Sequence, residues 1–248
     1  MEITLDDQIF RFNYKEHVPY TREQLLLLYW QNHPRYRFLK TCKNGNFLDL
    51  GCGDGGLQFW LQYGEPLRND IKMYAVDISR GEYVDRYEQF VQFDLNQQGF
   101  PYEQDFFDNI YSAHVFEHIE KPSVLAAKLG LALKPGGKIY IEIPNHFSAK
   151  SPTIKSFQKA GITWATTTTN FYDDKTHRQS YSAEEIIQMF NADLQDQYQV
   201  KEHGTVWNDY LMDLMLSYAY DNKDTEIWTY AVWLYYQWSD YVVLEKMN

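Results

Sequence analysis

The sequence predicts an α/β protein in which a mostly parallel sheet carries helices on both faces. Three observations lead there. Short apolar or β-branched runs alternate with segments of helical period from residue 47 to about residue 190, and strands that alternate with helices pair in parallel. Glycine, proline and asparagine punctuate the boundaries between runs. The chain has 248 residues, 44% hydrophobic and 23% charged, which is enough apolar content for one packed domain and too much for disorder.

The elements follow in order. Residues 21–40 read as helix interrupted near Pro34, because proline removes a backbone donor and crowds the preceding turn. Lys43-Asn44-Gly45-Asn46 is a turn, Phe47–Leu50 a short strand and Gly51–Gly56 a glycine loop, with a helix expected to about Tyr63. Further strands are expected at Met73–Val76, ending on Asp77, at Phe90–Phe93, ending on Asp94, at Asn109–Ala113, and at Lys138–Ile143, closed by Pro144. Ser123–Leu133 is helical, and Lys134-Pro135-Gly136-Gly137 stops it. His146–Lys175 is a long irregular stretch, which in a compact domain is usually a lid or binding loop. Ser182 and Glu185 have the spacing of a capping box and open a helix to about Phe190. Tyr198–Val206 has strand character, Asp209–Tyr220 and Thr225–Trp238 are helical, and Tyr241–Glu245 is a final strand-like segment.

Charge and composition exclude several classes. Lys and Arg total 23 against 34 Asp and Glu, a net charge of −11. A sequence-independent grip on nucleic acid needs a basic surface, so nucleic acid is not an expected partner. Two cysteines make no disulfide framework. The acidic start, without a basic and then apolar leader, points to the cytoplasm. The most apolar late stretch, Ile227–Trp238, falls short of the roughly 20 residues that span a bilayer. Aromatic residues reach 17%, many of them after residue 195.

The most specific stretch is Asp49-Leu50-Gly51-Cys52-Gly53-Asp54-Gly55-Gly56. Glycines there let the backbone turn sharply and approach a ligand closely. Gly51, Gly53 and Gly56 match a dinucleotide-binding pattern that is weak by itself. Asp49 changes the reading: an acid just before the first glycine favours a cationic ligand over a pyrophosphate, which wants bare N–H groups.

Five pieces in sequence then resemble the class I S-adenosylmethionine-dependent methyltransferases, in the branch of small-molecule enzymes. They are Asp49-x-Gly51-x-Gly53; Tyr74-Ala75-Val76-Asp77-Ile78; Phe93-Asp94-Leu95; the run from Phe107 through Ser112-Ala113-His114-Val115-Phe116-Glu117-His118; and Leu133-Lys134-Pro135-Gly136-Gly137. The resemblance covers residues 47–145. It implies a Rossmann-like sheet of seven strands whose C-terminal seventh strand, 240–245, inserts antiparallel beside the fifth, with a helical cap (207–238) between strands six and seven. The expected layout is one domain over 1–248: an N-terminal helical lid (1–46), a cofactor core (47–145) and an active-site loop (146–181). S-adenosylmethionine is the implied cofactor. Asp49 and the backbone of Gly51 would hold its methionine end, with Gly53 also on the cofactor. Asp77 would accept from both ribose hydroxyls, with Ile78 alongside. Asp94 would take the adenine amino group, Leu95 would pack on the ring, and His114 and Val115 would line the floor beside the sulfonium. Ser112-Ala113-His114-Val115 stands where nucleobase N-methylating enzymes often carry an Asn/Asp-Pro-Pro-aromatic motif, which again disfavours a DNA substrate.

Methyl transfer needs alignment, exclusion of water and, for a hydroxyl or ammonium acceptor, a base. The candidates are His114, His118, His146 and His177, of which His146 and His177 lead, with His118 mainly supporting the loop that carries it. Asp173-Asp174 raises a metal-assisted alternative, but no acid directly follows the fifth strand to complete such a site, and no metal is expected. The late aromatics read either as core plus a homo-oligomer surface or as the lining of an acceptor pocket. The expected function is methyl transfer to a small molecule, a sugar or natural-product intermediate, with a hydroxyl favoured because several candidate bases are present. The alternatives are another alkyl transfer on the same fold, a non-catalytic S-adenosylmethionine-binding module acting through partners, and, more distantly, an NAD-dependent oxidoreductase.

Overall fold

The computed structural model describes residues 1–6, 8–192 and 197–247. Its strands are β1 (Glu2–Thr4), β2 (Ile9–Arg11), β3 (Gly45–Leu50), β4 (Ile71–Asp77), β5 (Gln89–Gln92), β6 (Phe107–Ala113), β7 (Leu133–Pro144), β8 (Tyr198–Thr205) and β9 (Ser239–Lys246). Its helices are α1 (Arg22–Asn32), α2 (Pro34–Thr41), α3 (Pro122–Ala132), α4 (Ile154–Lys159), α5 (Ala183–Asn191), α6 (Asp209–Asn222) and α7 (Thr225–Tyr236). β1 and β2 form a small antiparallel hairpin. The other seven strands form one sheet in the order β5-β4-β3-β6-β7-β9-β8. β3 pairs in parallel with β4 and β6, β4 with β5, and β6 with β7.

The expected seventh strand is β9, and it enters as foreseen. The Asn145 amide donates to the Trp238 carbonyl at 3.0 Å, while Lys246 Nζ reaches the Leu133 carbonyl at the other end of β7, so β9 runs antiparallel to β7. The Val206 amide on the Ser239 carbonyl and the Met247 amide on the Gln197 carbonyl show the same sense against β8. The sheet is therefore the seven-stranded, mostly parallel Rossmann-like sheet with an antiparallel C-terminal strand.

The chain packs as two compact units. One comprises Pro34–Ile143, Tyr181–Gly204 and Tyr241–Asn248. There the two-residue period of the strands sorts side chains between the sheet's faces. Leu48 and Leu50, Ile110, Ile139 and Ile141, Val242 and Leu244 form one face and pack with Leu125, Leu129, Ile186 and Phe190 of α3 and α5. The opposite face carries a ladder of rings across four strands. Phe47 stacks on Tyr111, Tyr111 on Tyr140 at 5.4 Å and 7°, and Tyr140 on Tyr241 at 6.0 Å. Phe38 of α2 covers it. The second unit comprises Met1–His33, Pro144–Ser180 and Thr205–Asp240. The hairpin, α1, α4, α6 and α7 fall within it, and its core is Trp228 ringed by Phe10, Phe12, Phe157 and Trp164. Arg22 pairs there with Asp224 and Glu226 at the start of α7. Of the late aromatics in this unit Trp228 and Trp238 are buried, whereas Trp207, Tyr210 and Tyr220 are exposed. Among the described residues no helix is long and apolar enough to cross a membrane.

Several expectations change. The first 46 residues are not wholly helical, since β1 and β2 precede α1. Each of these strands has three residues and buries only Ile3 or Phe10, too short a run to show a period. The break at Pro34 separates α1 from α2 as expected. Gly56–Leu61 is a 3₁₀ turn, not an α-helix to Tyr63. The Gln58 amide bonds the Gly55 and Tyr83 carbonyls and ties this turn to the segment after β4. Lys134–Gly137 does end α3, but the chain is already in β7. Leu133 pairs with Phe107 and Lys138 with Asn109, so the extra residues bulge between them. His146–Lys175 is not featureless, because α4 and two 3₁₀ turns lie inside it. The Ser182–Glu185 capping box forms as expected.

Leu244 is fully buried in the middle of β9. Leu244→Ala should therefore cost about 2–5 kcal/mol of stability in urea unfolding. A loss under about 1 kcal/mol would show that β9 is peripheral to the fold.

Candidate active site

The glycine loop leaves β3 with Gly51, Gly53 and Gly55 at φ +71°, +55° and +88°, values that favour glycine. A Cβ on Gly51 would lie 2.3 Å from the Val115 side chain, so the turn after β6 packs directly on the loop. The Gly51 amide is already given to the Val76 carbonyl at 2.7 Å, so its carbonyl is what it can offer a ligand. The Gly53 amide donates to Asp77 at 2.9 Å, and the Ser79 amide and hydroxyl donate to the other Asp77 oxygen at 2.9 and 3.2 Å. Asp77 thus fixes the loop while its carboxylate keeps acceptor capacity. Sequence reasoning missed Gly81. A Cβ there would meet the Gly53 carbonyl oxygen at 2.1 Å and Asp54 Cα at 2.5 Å, and the neighbouring Tyr83 amide bonds the Asp54 carbonyl. A glycine four residues after the strand-ending acid was the available signal.

Asp49 is 2% exposed and accepts the Tyr87 hydroxyl at 2.5 Å. Burial pushes its carboxyl up, the Tyr87 bond pulls it down, Asp77 and Asp54 push it up again, and the result is about 7. Tyr87, at the end of a short 3₁₀ turn (Val84–Arg86), carries no sequence signal that links it to Asp49.

β6 ends in a strained turn. His114 has φ +56°, a backbone region that non-glycine residues rarely enter. Its amide bonds the Glu142 carbonyl. Its ring lies between two buried acids, with Nδ1 3.4 Å from Glu117 and Nε2 3.4 Å from Glu142. Glu142 is 1% exposed and also accepts both arms of Arg35 at 2.8 and 2.6 Å and the Tyr140 hydroxyl at 2.6 Å. Burial works against a charged imidazole, but Glu117 and Glu142 outweigh it and the Arg35 charge, and the net shift at His114 is upward. Arg35, Glu142 and Glu117 were not foreseen as site residues. The pairing of Arg35 with Glu142 joins positions 107 residues apart.

Asp94 follows β5, with one oxygen accepting the Asn96 amide at 2.9 Å. Leu95 is half-buried against the core, and a cavity of about 350 Å³ opens beside it, lined by Asn96, Gly99, Ile119, Lys121 and Val124 among others. Ile78 is 65% exposed next to Asp77. This unit therefore brings Asp49, Gly51, Gly53, Asp77, Ile78, Asp94, Leu95, His114 and Val115 to the ends of β3, β4, β5 and β6, where ligands bind in open α/β sheets.

The proposed bases have defined partners. His118 is 4.0 Å from Glu117. His146 Nδ1 is 3.0 Å from the Ser180 hydroxyl. His177 stacks on Phe171 at 4.6 Å, and its Nδ1 is 2.6 Å from the Phe171 carbonyl, which orients the ring. Asp173 accepts the backbone amides of Ile154, Thr169 and Asn170 and so caps local turns.

A profile of the methyltransferase-domain family matches residues 14–193, well over half of the chain. The chain belongs to this family. Curated proteins yield no sequence match. Solved structures yield the fold. This methyltransferase is similar to a Haloferax volcanii protein complexed with the Trm112 methyltransferase activator (TM-score 0.57, 15% identity, 87% of this chain and 88% of that one). It is similar to a SAM-dependent methyltransferase from Archaeoglobus fulgidus (0.54, 18%, 90% and 94%). It is also similar to the cyclopropane synthase MmaA2 from Mycobacterium tuberculosis (0.55, 14%, 96% and 90%). The enzyme is an S-adenosylmethionine-dependent methyltransferase. The residues present fit that cofactor: a glycine cradle that a Cβ would block, an acid with acceptor capacity after β4, and a cavity beside Leu95.

Asp77→Ala should weaken S-adenosylhomocysteine binding by about 1.5–3 kcal/mol in calorimetry, and Gly81→Ala should weaken it by displacing Gly53 and Asp54. Unchanged affinity in both would remove the loop from the site. The two pKa shifts also contribute to the pH dependence of stability for the ligand-free enzyme. An acid raised to about 7 makes folding less favourable as pH climbs from about 4 towards 7. A histidine raised above its unfolded value of about 6.5 stabilises fully below that value, and the benefit is lost as pH rises through the raised pKa. Thermal melts should decline across both windows. Asp49→Asn should flatten the first and His114→Gln the second.

Proposed function

We propose that the enzyme methylates a hydroxyl of a small molecule, in the class of sugars or natural-product intermediates, within a single methyltransferase domain over residues 1–248. The observation that carries the cofactor half of this reading is the bond from the Gly53 amide to Asp77, which joins the glycine loop to the acid after β4. In this reading Asp77 accepts from the ribose hydroxyls with Ile78 beside it, and Asp94 and Leu95 receive the adenine. Asp49 and the Gly51 carbonyl face the cationic methionine end, and His114 and Val115 form the floor near the sulfonium. The cofactor supplies an electrophilic methyl group on a good leaving group, so the protein's tasks are alignment, exclusion of water and proton removal.

A hydroxyl acceptor must lose a proton, and His146 and His177 are the bases of this reading, with His118 in support. The hydrogen-bonded Nδ1 of His177 supports its assignment, because a ring fixed at one nitrogen presents the other in a defined tautomer. Turnover of S-adenosylmethionine should be measured against a panel of hydroxylated metabolites. His146→Ala or His177→Ala should then lower turnover by at least about 100-fold while leaving S-adenosylhomocysteine affinity nearly unchanged. Near-normal turnover in both variants would rule out these bases, and transfer only to amine acceptors would rule out the hydroxyl.

A further inference from the structure

Asp49 occupies an unusual position for a group expected to meet a cation. It lies next to last in β3, 2% exposed, and the Tyr87 hydroxyl donates to it at 2.5 Å. The surrounding charges do not favour a carboxylate. Asp77 at the end of β4 and Asp54 in the glycine loop both disfavour a negative charge on it, and the Cys52 thiol and the Tyr111 phenol are also near. Arg35 of α2 is a cation that acts on Asp49, but weakly, and its guanidinium is bonded through both arms to Glu142. A buried carboxylate with a neutral donor and two acidic neighbours is costly to ionise.

We propose that Asp49 is partly protonated in the ligand-free enzyme at neutral pH and gives up that proton when the cationic methionine end of the cofactor docks, with Tyr87 as the positioning residue that tunes this exchange. The proposal rests on the reading that Asp49 faces that cation. The balance is simple. The Asp49 O–H bond breaks, its proton leaves to solvent, and the carboxylate left behind is neutralised by the ligand's ammonium, with Tyr87 still donating to it. No electron changes hands. A carboxyl poised near 7 would be about half protonated at neutral pH. The docking cation supplies a direct counter-charge to Asp49, where the ligand-free site offers the neutral Tyr87 hydroxyl. Tyr87 favours the ionised form, because its hydroxyl donates to the carboxylate.

The probe is S-adenosylhomocysteine, which keeps the ammonium and avoids turnover. Calorimetry at pH 7 in buffers of low and high ionisation enthalpy should show release of about half a proton on binding, falling as pH rises towards about 8; above that, uptake by the ligand's own amine offsets the release. Asp49→Asn should abolish the release, which assigns it to Asp49 and not to His114. Tyr87→Phe should lower affinity roughly 3- to 10-fold at pH 7, raise the number of protons released at pH 8, and move the pH profile to higher pH. A merely structural role for Tyr87 would weaken binding equally at all pH values and leave the proton count unchanged, which would overturn its tuning role. Binding by the wild type with no proton exchange would overturn the proposal while leaving the cofactor site intact. A carbon-13 carboxyl titration of the ligand-free enzyme, assigned by difference from Asp49→Asn, gives a second reading. A midpoint in the ordinary carboxylate range overturns the proposal even if the ligand fails to bind, and failure to bind overturns the site reading itself.

Discussion

The bidentate pair between Arg35 and Glu142 is the interaction on which the site half of the molecule depends. The ring-bearing face of the sheet buries Asp49 and Glu142 beside the aromatic ladder, and Glu117 is buried in the turn after β6. Burying three acids needs compensation, because an isolated buried carboxylate is too costly to keep ionised. Arg35 answers Glu142, the Tyr140 hydroxyl adds to it, and His114 bridges Glu142 to Glu117. Asp49 is left with a neutral phenol. The differing partners explain why these groups shift as they do. The imidazole is pushed towards its charged form and Asp49 towards its neutral one, and both lie at strand ends that a cofactor would approach.

The glycine loop depends on the same region through packing. Val115, next to the strained His114, fills the space over Gly51, and Gly81 closes on Gly53 and Asp54 from the other side. The loop is therefore held between two turns as well as by Asp77. A left-handed residue such as His114 costs on the order of 1–3 kcal/mol, and the amide bond to Glu142 and the two flanking acids hold it there.

Much of this candidate site was legible from local patterns. Asp49, Gly51, Gly53, Asp77 and Asp94 stand at strand ends, and both the glycine requirement and the strand-ending acid leave marks within a few residues. The capping box at Ser182 and the break at Pro34 were readable for the same reason. Tyr87, Gly81, Arg35, Glu142 and Glu117 left no such mark as partners. Tyr87 meets Asp49 across 38 residues, and Gly81 matters only because the Gly53–Asp54 backbone lies against it. The N-terminal hairpin was missed because two three-residue strands show no period.

The sequence by itself determined the order of the seven sheet strands, the place of the glycine loop and the family, because each is written in short-range periodicity, turn chemistry and motif spacing. The tertiary structure alone decided which charges share a buried face, which acid is hydrogen-bonded by a neutral phenol, and that Lys134–Gly137 bulges within β7. The reason is physical. A carboxylate's protonation depends on the solvent it loses and on the charges around it, and both are properties of residues brought together from distant parts of the chain.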